Sequence, residues 1–332
     1  MSEFIILVII FNLIIFKNNI KIANFLNLYD RPDNLRKIHN QNIPLTGGVI
    51  ILFNIVILFF FLFIQGFFFN KIEIFQNDLD LLIFINSILV FFFIGFMDDK
   101  FEISANKKFL MMIFFLIPIS IYSQDLLIYE IRISFLNIKY FLPTYLAIFW
   151  TVLCFLLFIN ALNMFDGINY QVCVFSIFLC TFFLINDYFI ILFIIIIISL
   201  FNFLILNHNN KAFLGDNGSY LLAFLFSYFF IKMYNQNHEI YSDHIFLIMI
   251  IPGIDLIRLF LVRISKGNYP FTPDRNHLHH ILLRKYKLVN VNIIIQSLII
   301  FPSICGFYLG YTYLFLLVQL SVYFYLVFIN KK

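Results

Sequence analysis

The chain has 332 residues, of which 62% are hydrophobic and only 12% charged. That balance excludes a water-soluble globule with a polar surface and leaves a multi-spanning membrane protein. The formal net charge of +4 matters less as a sum than the placement of each Lys and Arg along the chain.

In chain order, apolar runs fall at 3–16, 48–69, 79–97, 108–122, 142–159, 170–186, 188–206, 218–234, 244–262, 290–308 and 311–330. They must be helices, because an open strand in hydrocarbon leaves its backbone groups unpaired. The expected fold is therefore an all-α integral membrane protein, a polytopic bundle of about 11 (10–11) transmembrane helices. The first run is short and lacks a basic leader and a small-residue cleavage site, so it reads as a retained span. The 49 Phe are spread through all the runs and reflect compositional drift rather than a stacking platform. Cys154, Cys173, Cys180 and Cys305 lie in or beside apolar runs without CxxC spacing, and read as small buried hydrophobes. With no internal repeat and no soluble segment, residues 1–332 read as one domain.

If the first span starts outside, Lys17, Lys21, Arg31, Arg36, Lys37, Lys100, Lys107, Lys108, Lys211, Arg263, Lys266, Arg275, Arg284, Lys285, Lys287, Lys331 and Lys332 share one face. The other face receives little beyond Lys71, Arg132 and Lys139. This asymmetry places the N-terminus outside and the C-terminus in the cytoplasm, and it supports an odd number of spans. The external loops, 70–78, 123–141 and 235–243, read as short or featureless. A transporter would carry ionisable residues near mid-membrane, whereas here only Asp255 and Arg258 come close, and their spacing reads as an ion pair near the inner interface.

The polar motifs all fall in the cytoplasmic loops 17–47, 98–108, 160–170, 207–217 and 263–289 or at their edges. First come Asp30-Arg-Pro-Asp33, Arg36-Lys37, His39 and Pro44-Leu-Thr-Gly47-Gly48, whose glycines allow close packing at a helix start. Gly95-Phe-Met-Asp98-Asp99-Lys100 follows, with Lys107 and Lys108 beyond it. Next is Asn160-Ala-Leu-Asn163-Met-Phe-Asp166-Gly167-Ile-Asn169, which holds three amides and a carboxylate but no Lys or Arg. Phe213-Leu-Gly-Asp216-Asn-Gly-Ser219 and Pro273-Asp-Arg275-Asn-His277-Leu-His279-His280 complete the set.

Singly, each acidic motif is most simply a solvated pair or a helix cap. Three of them on one membrane face fit a magnesium site with two or more carboxylates better than coincident capping. The histidine spacing does not match a zinc helix and has no nearby Cys, so a basic, hydrogen-bonding loop for phosphate is the better reading.

Taken together and in order, these motifs resemble the polyprenyl-phosphate N-acetylhexosamine-1-phosphate transferase family of glycosyltransferase 4 type. The pattern runs D-x-P-x-x-x-R-K-x-H with a following GG, G-x-x-D-D, N-x-x-N-x-x-D-G, F-x-G-D-x-G-S and a late H-x-H-H. The PDRxHxHH form is most similar to the bacterial undecaprenyl-phosphate GlcNAc-1-phosphate transferase branch. Family members often continue the third motif as DGxxGL, where this chain has Tyr170 and Gln171 in place of Gly and Leu.

The resemblance implies a multi-pass enzyme of the bacterial inner membrane with its active site on the cytoplasmic face. The reaction it implies moves N-acetylhexosamine-1-phosphate, in the first instance GlcNAc-1-phosphate, from a UDP-sugar to undecaprenyl phosphate and releases UMP. That step would begin a lipid-linked glycan such as O-antigen or teichoic acid. By motif position Asp98, Asp99, Asp166 and His279 would be catalytic, and Asn163 and Asp216 would hold Mg²⁺, with Mn²⁺ as a substitute. Lys108, Asn160, Asn169, Arg275, His277 and His280 would bind substrate, Lys108 against the diphosphate and Asn169 against uracil. Expected partners are the UDP-sugar, the polyprenyl phosphate, the bilayer and a second copy in a homodimer, with no nucleic acid. The alternatives are the same reaction on a 6-deoxy or GalNAc-type UDP-amino-sugar and, more distantly, a carrier or flippase.

Overall fold

In the structure, a computed structural model, residues 2–32, 41–64, 75, 78–236, 240–272 and 274–330 are described, with the side chains of Ser2 and Gln124 left aside. Asp33, Arg36, Lys37, His39, Lys71, Pro273, Lys331 and Lys332 lie outside the described residues. The elements run α1 (Ser2–Leu26), β1 (Tyr29–Asp30), β2 (Ile43–Pro44), α2 (Gly47–Ile64), α3 (Asp78–Phe101), α4 (Ala105–Tyr122), β3 (Glu130–Ile133) and β4 (Ile138–Phe141). They continue with α5 (Thr144–Phe165), α6 (Gln171–Ile185), α7 (Ile190–His208), α8 (Gly215–Gln236), α9 (Ser242–Ser265), α10 (Leu278–Leu283), α11 (Leu288–Leu309) and α12 (Thr312–Asn330). Each apolar run has become a helix. Among the described residues nine helices are long and apolar enough to cross a membrane, while α6 is shorter and α8 is not among the nine. The protein is an all-α polytopic membrane protein.

Packing divides the chain into two units, residues 1–115 with 172–225 and residues 116–171 with 226–332. In the first, α1, α2 and α7 pack on one another around three amides. Asn12 Nδ2 donates to Asn54 Oδ1 at 2.7 Å, and Asn202 Nδ2 donates to Asn12 Oδ1 at 3.1 Å. Interhelical amide bonds of this kind hold apolar helices in register where lipid offers no hydrophobic drive. In the second unit α9 packs against α5, α11 and α12. Gln319 Nε2 on α12 donates to the carbonyls of Leu298 and Leu247, at 2.9 and 3.2 Å, tying three helices together.

Several boundaries differ from expectation. Helix α1 runs on to Leu26, so Lys17 and Lys21 lie on its last turns and not in a loop. Lys is a good helix former whose stem stays at an apolar surface while its ammonium reaches water, so charge alone does not end a helix. Helix α5 reaches Phe165, which makes Asn160 and Asn163 helical, and Asn160 bonds back to the Leu156 carbonyl at 2.7 Å. The stretch 123–141, expected to be featureless, is not so. Strands β3 and β4 form an antiparallel hairpin in it, pairing Glu130 with Phe141 and Ile133 with Ile138. Arg132 is buried beneath this hairpin, donating to the Tyr234 and Ile240 carbonyls and pairing with Glu130 at 3.0 Å. The period-two alternation of Glu130-Ile-Arg-Ile133 is the sequence signal that the apolar-run count passes over.

Candidate active site

The first unit gathers four of the expected residues where the C-terminus of α3 meets the N-termini of α4 and α8. Asp98 on α3 is buried, and its carboxylate is paired with Lys108 Nζ from the first turn of α4. Lys108 also lies 3.7 Å from Asp216 Oδ2, in the first turn of α8. Asp99 points to the same helix start: its Oδ1 accepts from the Asp216 backbone N–H and its Oδ2 from that of Asn217, both at 2.9 Å. Asn217 Nδ2 donates to the same Oδ2 and to the Leu45 carbonyl. Asp99 thus satisfies two of the orphan N–H groups of α8 from another helix, with its charge at the positive end of the dipole.

Close backbone approach makes this convergence possible. A methyl group at Gly95 would strike the Asp216 carbonyl, and one at Gly48 would strike Asn217 and Gly218. Gly47 N and Gly48 N donate to the carbonyls of Phe213 and Leu214 at 3.0 and 3.1 Å. Two motifs about 170 residues apart in the sequence are therefore locked together. Asp98 and Asp216 share the ammonium of Lys108, while Lys100 donates to the Leu26 carbonyl instead. Among the described residues no three His, Cys, Asp or Glu side chains stand together as a ready metal group. Mg²⁺ does not need one, since it takes one or two carboxylates and completes its shell with water and substrate phosphates. Buried Asp98 and part-exposed Asp216, sharing a lysine, fit that chemistry.

The second unit gathers the remaining residues. Asn160 and Asn163 lie on the last turns of α5, followed by the turn Asp166–Tyr170, and the α10 segment holds His277, His279 and His280. These two parts meet at Gly167, where a methyl group would collide with the His279 imidazole. His279 is buried, with no hydrogen-bond partner at Nε2, and burial followed by neighbouring His280 and His277 pushes its pKa well below the usual range. The same desolvation, with His277 and Arg275 nearby, lowers His280 to about 4. Both are neutral imidazoles at neutral pH. Arg275 is exposed beside them.

Helix α11 holds the turn from its other side. Asn292 Nδ2 donates to the Asn169 carbonyl at 3.0 Å and Gln296 Nε2 to the Gln171 carbonyl at 2.8 Å. Between them Tyr170 takes φ +72°, the left-handed region that glycine enters freely and tyrosine does not. This is the position at which the resembled family pattern has glycine. Asn292 and Gln296 escaped sequence reasoning, though two amides one helical turn apart at the start of an apolar run are a legible signal. Asp255 and Arg258 do pair, at 2.8 Å, but Asp255 also reaches His277 and the start of α10, which spacing alone could not show.

The sequence pattern of Glycosyl transferase family 4 matches residues 81–234, a stretch holding Asp98, Asp99, Lys108, the Asn160–Asn169 segment and Asp216. Over these residues the chain is similar to glycosyl transferase family 4. The chain is also similar to two proteins named undecaprenyl-phosphate alpha-N-acetylglucosaminyl 1-phosphate transferase, from Salmonella typhi and Escherichia coli K12. It is 28% identical to the first over 281 residues and to the second over 287, in each case 80% of this chain and 71% of the relative. The Yersinia pestis protein of the same name is 29% identical over 290 residues, 80% of this chain and 72% of the relative. The histidine segment lies beyond the matched stretch, so its part in the site rests on the contacts with Gly167 and Asp255.

Proposed function

We propose that this chain transfers GlcNAc-1-phosphate from UDP-GlcNAc to undecaprenyl phosphate at the cytoplasmic face of a bacterial inner membrane, releasing UMP. The observation that carries the reading is Lys108 held between Asp98 and Asp216 at the start of α8. The names of the relatives and the family 4 match support the same reaction class.

One phosphoanhydride is exchanged for another, so the obstacle is electrostatic: an anionic lipid phosphate must approach an anionic diphosphate. Lys108 offsets part of that repulsion, and the buried Asp98 beside it orients or deprotonates the lipid phosphate. A phosphate monoester with a second pKa near 6 is already mostly dianionic at neutral pH, so Asp98 works chiefly by orientation. Asp99 holds the start of α8 and with it the direction of the Asp216 carboxylate. By motif position Asp216 and Asn163 are the proposed holders of Mg²⁺, which when bound would draw electron density from the diphosphate. In the second unit Asn160, Asp166 and Asn169 shape the nucleotide turn, with Asn169 against uracil. Arg275 and the imidazoles of His277, His279 and His280 serve as hydrogen-bonding partners of the sugar-phosphate.

The test is the purified protein with Mg²⁺, undecaprenyl phosphate and a panel of UDP-sugars, read as UMP release. UMP from UDP-GlcNAc above all other donors is the expected result. UMP from a 6-deoxy or GalNAc-type donor instead would reassign the substrate, and no UMP from any donor would overturn the reading.

A further inference from the structure

One carboxylate in the second unit carries a load that the reaction as described does not use. Asp255 on α9 is buried and gathers four donors. Its Oδ2 lies 2.8 Å from His277 Nδ1, and its Oδ1 accepts from Arg258 Nη2 at 2.8 Å, from the Tyr323 hydroxyl at 2.6 Å and from Leu278 N at 3.2 Å. The surrounding groups lock the carboxylate in turn. Arg258 Nε donates to the Tyr323 hydroxyl at 2.6 Å, and Arg258 Nη2 to the Asn276 carbonyl at 2.6 Å. The residues on both sides of His277 are therefore tied to the same network. The His277 ring is further fixed by stacking on that of His279, with centroids 5.3 Å apart and planes 3° from parallel.

We propose that Asp255 is a positioning residue for the sugar-phosphate transfer, holding His277 with its proton on Nδ1 so that Nε2 is the nitrogen offered to the donor substrate. The inference rests on the proposed function. A carboxylate has no proton to give at neutral pH, so the hydrogen bond between Oδ2 and Nδ1 needs its proton from the imidazole. Nε2 then lies on the far edge of the ring, away from α9. Arg258 and Tyr323 keep the carboxylate from turning, and the Leu278 contact sets the angle at which the short α10 segment leaves the loop. Displacing a reacting group by an ångström costs on the order of 10²-fold in rate, so a rigid chain from α9 and α12 to His277 has a catalytic use.

The experiment combines kinetics with nitrogen NMR of histidine-labelled protein. His277 is picked out from the seven histidines by its loss in a His277→Gln sample. Wild-type His277 should carry its proton on Nδ1, and Asp255→Asn should mix the tautomers. In UMP release, Asp255→Asn and His277→Ala should each lower kcat by about 10–10²-fold with a smaller change in KM for the UDP-sugar. The double variant should be no slower than His277→Ala alone, because the two residues act as one unit. A proton on Nε2 in the wild type, kcat within about twofold of wild type for Asp255→Asn, or losses that multiply in the double variant would each overturn the proposal. Wild-type protein that releases no UMP would count against the proposed function, while the wild-type spectrum, which requires no turnover, would still decide the tautomer.

Discussion

Lys108 owes its placement to two carboxylates from different helices, and the first test at the level of single residues lies there. Asp216→Ala should lower UMP release by about 10²–10³-fold while leaving the detergent-solubilised protein folded, as judged by size-exclusion profile. Gly167 offers a second test, because it faces the His279 ring with no room for a methyl group. Gly167→Ala should displace that imidazole and lower kcat by roughly 10²-fold, with retained helical circular dichroism separating local displacement from unfolding. His280 supplies a pH signature. Its pKa is depressed to about 4 in the fold against about 6.5 in an unfolded chain, so the unfolded state binds the extra proton first. Its contribution to stability is therefore complete above about pH 6.5 and is lost as pH falls through about 4. His280→Gln should differ from wild type in thermal midpoint by a constant amount above pH 6.5 and by a changing amount between about 6.5 and 4.

Helices in this protein are held by polar contacts as well as apolar faces. The Asn12, Asn54 and Asn202 cluster joins α1, α2 and α7 inside an otherwise apolar region, where each amide has few alternative partners. Asn54→Leu should destabilise the first unit by about 1 kcal/mol, measured by SDS titration, with little effect on KM for the UDP-sugar. The glycines at the start of α2 and near the end of α3 act by being absent volume, letting the start of α8 come against both helices. That is why the Pro44–Gly48 segment and the Phe213–Ser219 segment carry one function between them. The turn 166–170 is held similarly, by His279 on one side and the amides of α11 on the other.

For the molecule as a whole, the partition of Lys and Arg assigns the loop after α9 to the cytoplasm and the β3–β4 hairpin to the outside. Single cysteines introduced at Asn268 and Leu136, both exposed, would test that assignment in a background lacking the four native cysteines. In intact cells an impermeant maleimide should label the Leu136→Cys protein and spare Asn268→Cys until the membrane is opened. The reverse pattern would place the histidine segment on the wrong side for a cytoplasmic nucleotide sugar.

Apolar run length was enough to name the membrane class and to locate every long helix, because hydrocarbon permits few other solutions for so apolar a chain. The motif residues Asp98, Lys108, Asp216, Asn169 and His279 were legible too, since charged and amide groups beside bilayer-length runs stand out against their surroundings. Local sequence could not tell that Asp99 caps α8, that Asp255 grips His277, or that Arg132 is buried under a hairpin. Each of those roles is set by a partner from about twenty to over a hundred residues away. A carboxylate has the same sequence signature whether it meets water, a helix N-terminus or an imidazole. Only packing brings the partner into reach, and so only the folded chain assigns the role.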